Sequence, residues 1–557
     1  MADRHEGGPA RGIGWARLVS RGLVFAILAL LALAVIVFQQ QAGGAFVAEF
    51  SANNADEASH YVTGLLFTDY ARAGFPSPLA FARDYYLHYP KVGIGHWPPL
   101  YYLAEGALFL ASSPATPVAL FLPALIAALL VVSAGFLAAV TLGPLVGVGV
   151  GAVLLALPLL REATLVIVLD LPVALLVLLA IIAYARYLAA PRWAPALMFA
   201  VLAAMAILTK GTGAALALVP PFALLLTGRF GLLRRLDFWL PLPVVAILAG
   251  PWTLGTYAMA ASGFQYGWGL AFTRLAAETY WHGFLAGIGA PLMVLAAIGL
   301  LFAALRAWRG GDEAPAAQPF AAVGAGLLAV LAFQCIVPAG LDPRYLLPAA
   351  APLLLMSAYG LAGLFSLLTR SWPLITGLLA CLILLVLASP FMLVALTKPS
   401  IGMAPAARAA MTTGAANPLI LVGSDAMGEG ALVAAVAQSD RAMLYFALRG
   451  SKLLAVSDWN GKDYAPLYAD AAALLRGLDD IGIGYVALDT APAAQAILHN
   501  RQLAEAAAAY PDRFRLIGTY PRSDRTGEVR LYQLAGNEAR LPDKGALQQK
   551  VMQGRNF

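Results

Sequence analysis

Asp56 and Glu57 stand side by side in a polar stretch that follows the first long apolar run of this 557-residue chain. Adjacent carboxylates are expensive to keep beside so much apolar sequence, and such groups gather where a proton must be taken or a charge met. The same loop holds His96-Trp97-Pro98-Pro99-Leu100, whose imidazole can donate to an anion. Asp170 falls about two turns into a predicted apolar span, where a carboxylate needs a cavity or a partner; Arg161 is one candidate partner and Glu162 a nearby second acid. Lys210, Arg274 and Arg344 each adjoin an apolar run, and Tyr345 follows the last of them. Each of these groups also has a plain structural use. Asp56 can cap a helix starting at Glu57, and a cation beside a span can anchor it at the interface.

The elements that carry these residues are dictated by composition. The chain is 61% hydrophobic and 12% charged, with a mean hydropathy of +0.76, which excludes a single water-soluble globule and implies a polytopic helical membrane protein. Arg4, Arg11, Arg17 and Arg21 precede the first span and hold the amino terminus in the cytoplasm under the positive-inside rule. Gln39-Gln40-Gln41 offers no small-residue cleavage site, so the span reads as an anchor. Two cysteines, both in apolar runs, support neither a disulfide framework nor a thiolate metal cluster. The net charge of +6 is spread over short loops without interleaved aromatics, which argues against nucleic acid.

Apolar segments long enough to cross fall at 22–38, 117–140, 143–160, 163–189, 196–209, 212–228, 239–258, 286–305, 319–338, 345–368 and 373–396, so about eleven transmembrane helices are expected. The run at 99–111 is short, opens on two prolines and is treated as partial. That count places Arg186, Arg192, Arg229, Arg234, Arg235, Arg306, Arg309 and Arg370 in the cytoplasm. It puts Asp56, Glu57, His96, Arg161, Glu162, Lys210, Arg274, His282, Asp342 and Arg344 together on the outer face, where a site can be assembled. Loop 40–97 is too long for a connector. Its stretches 58–72 and 78–86 read as amphipathic helices at the interface, with Phe67, Tyr70, Tyr85, Tyr86 and Trp97 as an aromatic belt.

After Thr397 charged and turn residues return. Residues 1–397 thus form the membrane domain and 398–557 an extramembrane α/β domain, with strands expected at 419–423, 443–448, 485–489, 515–519 and 529–534 and helices at 427–438, 466–480 and 493–509. Gly423-Ser424-Asp425-Ala426-Met427-Gly428-Glu429-Gly430 follows a strand and opens a helix, but it lacks the spacing of a dinucleotide cradle and reads as a tight turn. Asp56, Glu57, His60 and His282 offer oxygen and nitrogen donors in no recognised metal spacing. No cofactor is therefore assigned, and a divalent metal stays open.

One ordered set of short pieces resembles a known family. Asn54-Ala55-Asp56-Glu57, His96-Trp97-Pro98-Pro99-Leu100-Tyr101-Tyr102, Arg161-Glu162 with Leu169-Asp170-Leu171-Pro172, Leu208-Thr209-Lys210-Gly211 and Arg344-Tyr345-Leu346-Leu347-Pro348 resemble, in order, the GT-C membrane glycosyltransferases of the protein O-mannosyltransferase and lipid A aminoarabinose transferase type. The resemblance implies inverting transfer of a sugar from a polyprenyl-phosphate carrier, undecaprenyl phosphate in a bacterium, to a lipid, glycan or protein acceptor at the outer face of the inner membrane. By motif, Asp56 and Glu57 match the first-loop acidic pair and Asp170 the second acidic position, with Glu162 as its competitor. Phe272-Thr273-Arg274-Leu275 resembles the family's arginine-bearing loop. In that chemistry Asp56 is the general base, with Glu57 and Asp170 as further catalytic carboxylates, while His96, Glu162, Lys210, Arg274, His282, Arg344 and Tyr345 bind substrate. The rival readings are a multi-helix transporter or lipid flippase, and a non-catalytic subunit that binds a partner through its outer domain.

Overall fold

The structure is a computed structural model that describes residues 10–310, 318–368, 373–392, 394–413, 416–456 and 463–552. Arg4 and Arg370, used above to orient the chain, lie outside these residues. The protein is a polytopic helical membrane protein with a small sheet in its carboxy-terminal region. Each of the eleven apolar segments coincides with a helical element. Seven are single helices, two are bent pairs, and two are the shorter helical stretches Trp193–Thr209 and Gly211–Thr227.

In chain order the membrane part runs α1 (Ala10–Ala42), α2 (Glu57–Arg72), α3 (Pro78–His88), α4 (Leu100–Ala111), α5 (Thr116–Leu142), α6 (Pro144–Ala156), α7 (Pro158–Thr164), α8 (Asp170–Ala189) and α9 (Trp193–Thr209). A 3-10 turn, Gly211–Leu218, leads into α10 (Val219–Thr227), followed by α11 (Leu236–Trp239), α12 (Pro241–Leu248), α13 (Gly250–Ala261), α14 (Leu270–Gly287), α15 (Ala290–Gly310), α16 (Gln318–Ile336), α17 (Leu347–Leu368) and α18 (Pro373–Met392). The bends have sequence causes. Pro158 opens α7, which turns 58° from α6, and Pro251 lies at the start of α13, which turns 63° from the helical stretch before it. α15 and α17 cross closely because Gly299 and Gly360 face each other's backbones; a Cβ at Gly360 would strike the carbonyl oxygen of Leu295.

Two expectations need correction. The segment 163–189 is not one helix: α7 ends at Thr164, residues 165–169 are non-helical, and Asp170 is the first residue of α8 rather than two turns inside it. Pro172 sits in the first turn of α8, where its missing N–H costs no helical bond. Nor is α2 of loop 40–97 a surface helix, although the first turn of α3 is exposed. α2 is buried along most of its length between α4 and a helix of the carboxy-terminal region, and Tyr85 and Tyr86 are fully buried instead of forming a belt.

The carboxy-terminal region runs α19 (Met403–Thr412), β1 (Leu419–Gly423), α20 (Ala426–Ser439), β2 (Phe446–Arg449), α21 (Gly450–Leu453), the short strands β3 (Ala455–Val456) and β4 (Ala465–Pro466), α22 (Ala471–Ile481), β5 (Tyr485–Asp489), β6 (Phe514–Pro521) and β7 (Glu528–Leu534). The main sheet has the order β2-β1-β5-β7-β6; β1 is parallel to β2 and β5, while β7 is antiparallel to β5 and β6. β1 and β5 are buried throughout, which matches their unbroken apolar sequences. The turn after β1 is closed by Asp425, whose carboxylate accepts from the N–H groups of Met427 and Gly428 and occupies the donors a phosphate would need.

One apolar core joins this region to loop 40–97, uniting Tyr61, Tyr85 and Tyr89 with Leu421, Val433 and Val486. Polar ties fasten the same joint. The Glu49 carboxylate caps the start of α19, accepting from the backbone N–H groups of Ile401, Gly402 and Ala404 and from the Ser400 hydroxyl. Tyr89 donates to the Asp440 carbonyl at 2.5 Å, and Arg441 pairs with Asp69.

Candidate active site

Asp56 precedes α2 but does not cap it. Its side chain makes no bond to the helix's N–H groups and instead accepts from Arg344 Nη2 at 2.6 Å. Arg344 lies in the short 3-10 turn Pro343–Leu346 that leads into α17, and Asp342 holds that turn by accepting from the Arg344 backbone N–H. The Arg344 Nε is 3.2 Å from the Asp342 carboxylate and 3.8 Å from Asp170. Asp170, at the start of α8, in turn accepts from Lys210 Nζ with both oxygens, at 2.7 and 2.8 Å. Lys210 follows the last residue of α9 in extended conformation, so its stem leaves the helix and its ammonium sits 4.3 Å over the Tyr345 ring. Four stretches remote in sequence thus meet in one alternating row of charge, Asp56, Arg344, Asp170 and Lys210. Arg161, the alternative partner for Asp170, donates to the Val394 carbonyl instead.

Glu57 points away from this row. It is fully buried and accepts from the Ser51 N–H at 2.7 Å, the Ile167 N–H at 3.2 Å and Lys398 Nζ at 2.6 Å. Those three donors come from the first loop, the break before α8 and the linker to the carboxy-terminal region. The carboxylate is a brace between the neighbours of Asp56 and of Asp170.

His60, one helical turn beyond Asp56, bonds Tyr102 through Nδ1 at 2.8 Å and meets Trp97 edge-on at 4.7 Å. Burial drives its pKa down to about 3, so the ring is neutral and responds to its neighbours as a dipole. Burial alone would push the Asp56 carboxyl up; the Arg344 guanidinium beside it, with Lys91 nearby, more than offsets that and holds it below the ordinary carboxylate range. Lys91 donates to the Ala55 carbonyl at 3.0 Å, which sets a second cation near Asp56. Sequence reading passed over Lys91 and Lys398; the available signal was a lone lysine in a strongly apolar neighbourhood.

Arg344 and Asp342 line a cavity of ≈ 590 Å³ at the joint with the carboxy-terminal region, together with Asn53, Asn54, Glu162 and Met427. Glu162 is exposed there and lies outside the row of ion pairs. His96 is half-buried, 6.3 Å from the Trp97 ring centroid. Arg274 and His282 are exposed on α14, which packs on the turn bearing Arg344; among the described residues no hydrogen bond or ion pair joins either to the row. Among the described residues no three His, Cys, Asp or Glu side chains stand close enough to hold a metal ion, and Asp56, Glu57 and His60 turn to different partners.

No family model and no curated protein matches the sequence. The three-dimensional comparison is decisive for the fold: ArnT from Cupriavidus metallidurans bound to undecaprenyl phosphate superposes with a TM-score of 0.54 at 14% identity, over 94% of this chain and 99% of that one. The chain has the GT-C fold. The apo form of the same ArnT gives a TM-score of 0.51, again over 94% and 99% of the two chains. An Archaeoglobus fulgidus oligosaccharyltransferase, at 14% identity, gives 0.47 over 82% of this chain and 68% of its own. In this chain the ion-pair row is built from the ends of helices, and the cavity that Arg344 lines is shared with Met427 of the sheet-bearing region.

Proposed function

We propose that the chain is an inverting glycosyltransferase of the inner membrane, with an amino terminus in the cytoplasm and a carboxy-terminal domain in the periplasm. It moves a sugar from a polyprenyl-phosphate carrier to a lipid, glycan or protein acceptor at the outer face. One observation carries this reading: a carboxylate that caps no helix is held at 2.6 Å by an arginine that lines a cavity, beside a second carboxylate and a lysine. The GT-C fold supports it, since the ArnT neighbour binds undecaprenyl phosphate.

In the proposed step the acceptor oxygen attacks the anomeric carbon. The bond from that carbon to the phosphate oxygen breaks with its electron pair left on the phosphate, and the acceptor proton passes to the Asp56 carboxylate. Charge grows on the departing phosphate, so cations must face it: Arg344 by its planar fork, Lys210 and Lys91 as point charges. Asp170 holds Lys210 and flanks Arg344, which makes it a positioning residue. Glu162 lines the cavity and Tyr345 lies under the Lys210 ammonium, and both are assigned to substrate contact, as is His96; Arg274 and His282 are carried by α14, which packs on the Arg344 turn.

Asp56→Asn removes the base while keeping the shape. Transfer from a synthetic undecaprenyl-phosphate sugar is expected to fall by about a hundredfold or more, the usual size of a lost general base. A folded, membrane-inserted variant with undiminished transfer removes Asp56 as the base, whereas a wild type that transfers no sugar favours the transporter reading.

A further inference from the structure

Arg344 is ligated in a way that leaves most of its capacity unused. A guanidinium carries five N–H donors. Among the described residues its side chain makes one hydrogen bond, from Nη2 to Asp56, and its buried Nε has no hydrogen-bond acceptor although the carboxylates of Asp342 and Asp170 are 3.2 and 3.8 Å away. The residue also lines the ≈ 590 Å³ cavity. An anion entering there meets a planar fork whose strongest bond is already taken by the presumptive base.

The charge inventory sharpens the conflict. Asp56, Asp170, Asp342 and Glu162 are matched by Arg344, Lys210, Lys91 and Arg161, so the formal charges around the cavity balance. A phosphate adds negative charge within a few ångströms of the Asp56 oxygens, and two anions on one guanidinium repel in this partly desolvated setting. A carboxylate locked in a short charge-assisted bond is also a poor proton acceptor, because taking a proton means giving up that bond.

We propose that the donor's phosphate and Asp56 compete for Arg344, so that binding of the lipid donor releases the base and readies it for the acceptor only when a donor is in place. This rests on the glycosyl-transfer reading above and adds an order to it. Donor binding comes first, Arg344 changes partner from carboxylate to phosphate, and Asp56 turns to the acceptor hydroxyl. Without a donor the base stays neutralised, which protects the site from unproductive proton transfer.

Competition makes a prediction opposite in sign to simple support. If Asp56 merely held Arg344 in place for the phosphate, removing its charge would weaken lipid binding; if the two compete, removal strengthens it. The probe is undecaprenyl phosphate itself, bound to the full-length protein in lipid nanodiscs and read by native mass spectrometry. Asp56→Asn is expected to bind it roughly tenfold more tightly than the wild type, a typical coupling between sites that share a group. Asp56→Ser, which also lacks the charge, carries the same expectation; Asp56 is 33% exposed at its side chain and makes no cap bond, so both variants keep the fold. In an Arg344→Gln background the gain disappears, which assigns it to that guanidinium. Unchanged or weaker binding by both charge-removed variants, with a wild type that binds, overturns the exchange and leaves the donor reading standing. A wild type that binds no undecaprenyl phosphate overturns both.

Discussion

In the proposed mechanism, activity turns on the ionisation of Asp56. Burial raises its pKa, and the charges of Arg344 and Lys91 lower it further than burial raises it. The folded pKa lies below the ordinary value, so the carboxylate contributes stability that is present above its unfolded pKa and lost as pH falls through the folded one. The acid limb of kcat/KM for the donor, which reports the free enzyme, is therefore expected below the usual carboxylate region. The limb of kcat, which reports the donor complex, is expected at higher pH because Arg344 has then moved to the phosphate. Coincident limbs in both profiles would contradict that exchange. The sequence marked Asp56, Asp170, Lys210 and Arg344 as chemically costly in an apolar chain, and the structure brings those four together. Glu57 looked equivalent to its neighbour because adjacent residues share every compositional signal; only the direction of the side chain separates a brace from a base.

Elements position these residues through their breaks rather than their bodies. Lys210 follows the end of α9, Arg344 precedes α17, Asp170 opens α8 and Asp56 stands before α2. Glu57 joins two of those breaks to Lys398, with both side chains fully buried. Removing one partner of such a pair strands a charge without water, so Glu57→Gln is expected to destabilise the protein by about 3 kcal/mol, far more than Asp56→Asn at its partly exposed site. Thermal unfolding of the detergent-solubilised variants measures the difference; equal midpoints would show that the brace bears no load. Hydropathy located the apolar helical elements, seven of them long enough to cross a membrane singly and two more as bent pairs among the described residues. It could not show that 165–169 is non-helical, since an apolar run has no periodicity to interrupt, and Pro172 marked the region without marking its boundary.

At the scale of the whole molecule, the first loop and the carboxy-terminal region behave as one body. Their apolar side chains form a single core, and the buried α2 has the carboxy-terminal α20 for one wall. A chain ending at Thr397 would lose Lys398, the α19 start that Glu49 caps, and the cover over α2. Such a truncation is expected to abolish transfer and to open loop 40–97 to limited proteolysis, since exposed apolar helices fray without their packing partner. A truncated protein with a protease-resistant loop and full transfer would show that the sheet-bearing region is dispensable for the site.

Composition and hydropathy alone settled that this chain is a helical membrane protein with a strand-bearing tail, because a run of about twenty apolar residues has one stable solution in a bilayer. The alternation of apolar runs and turn residues likewise placed the main strands, whose burial pattern is local. Partnership was beyond their reach. That Asp56 meets Arg344, that Glu57 meets Lys398, and that α2 is roofed by protein instead of lipid are facts of contact between residues hundreds of positions apart. Ion pairing acts over a few ångströms, so distance in space decides it and distance along the chain does not.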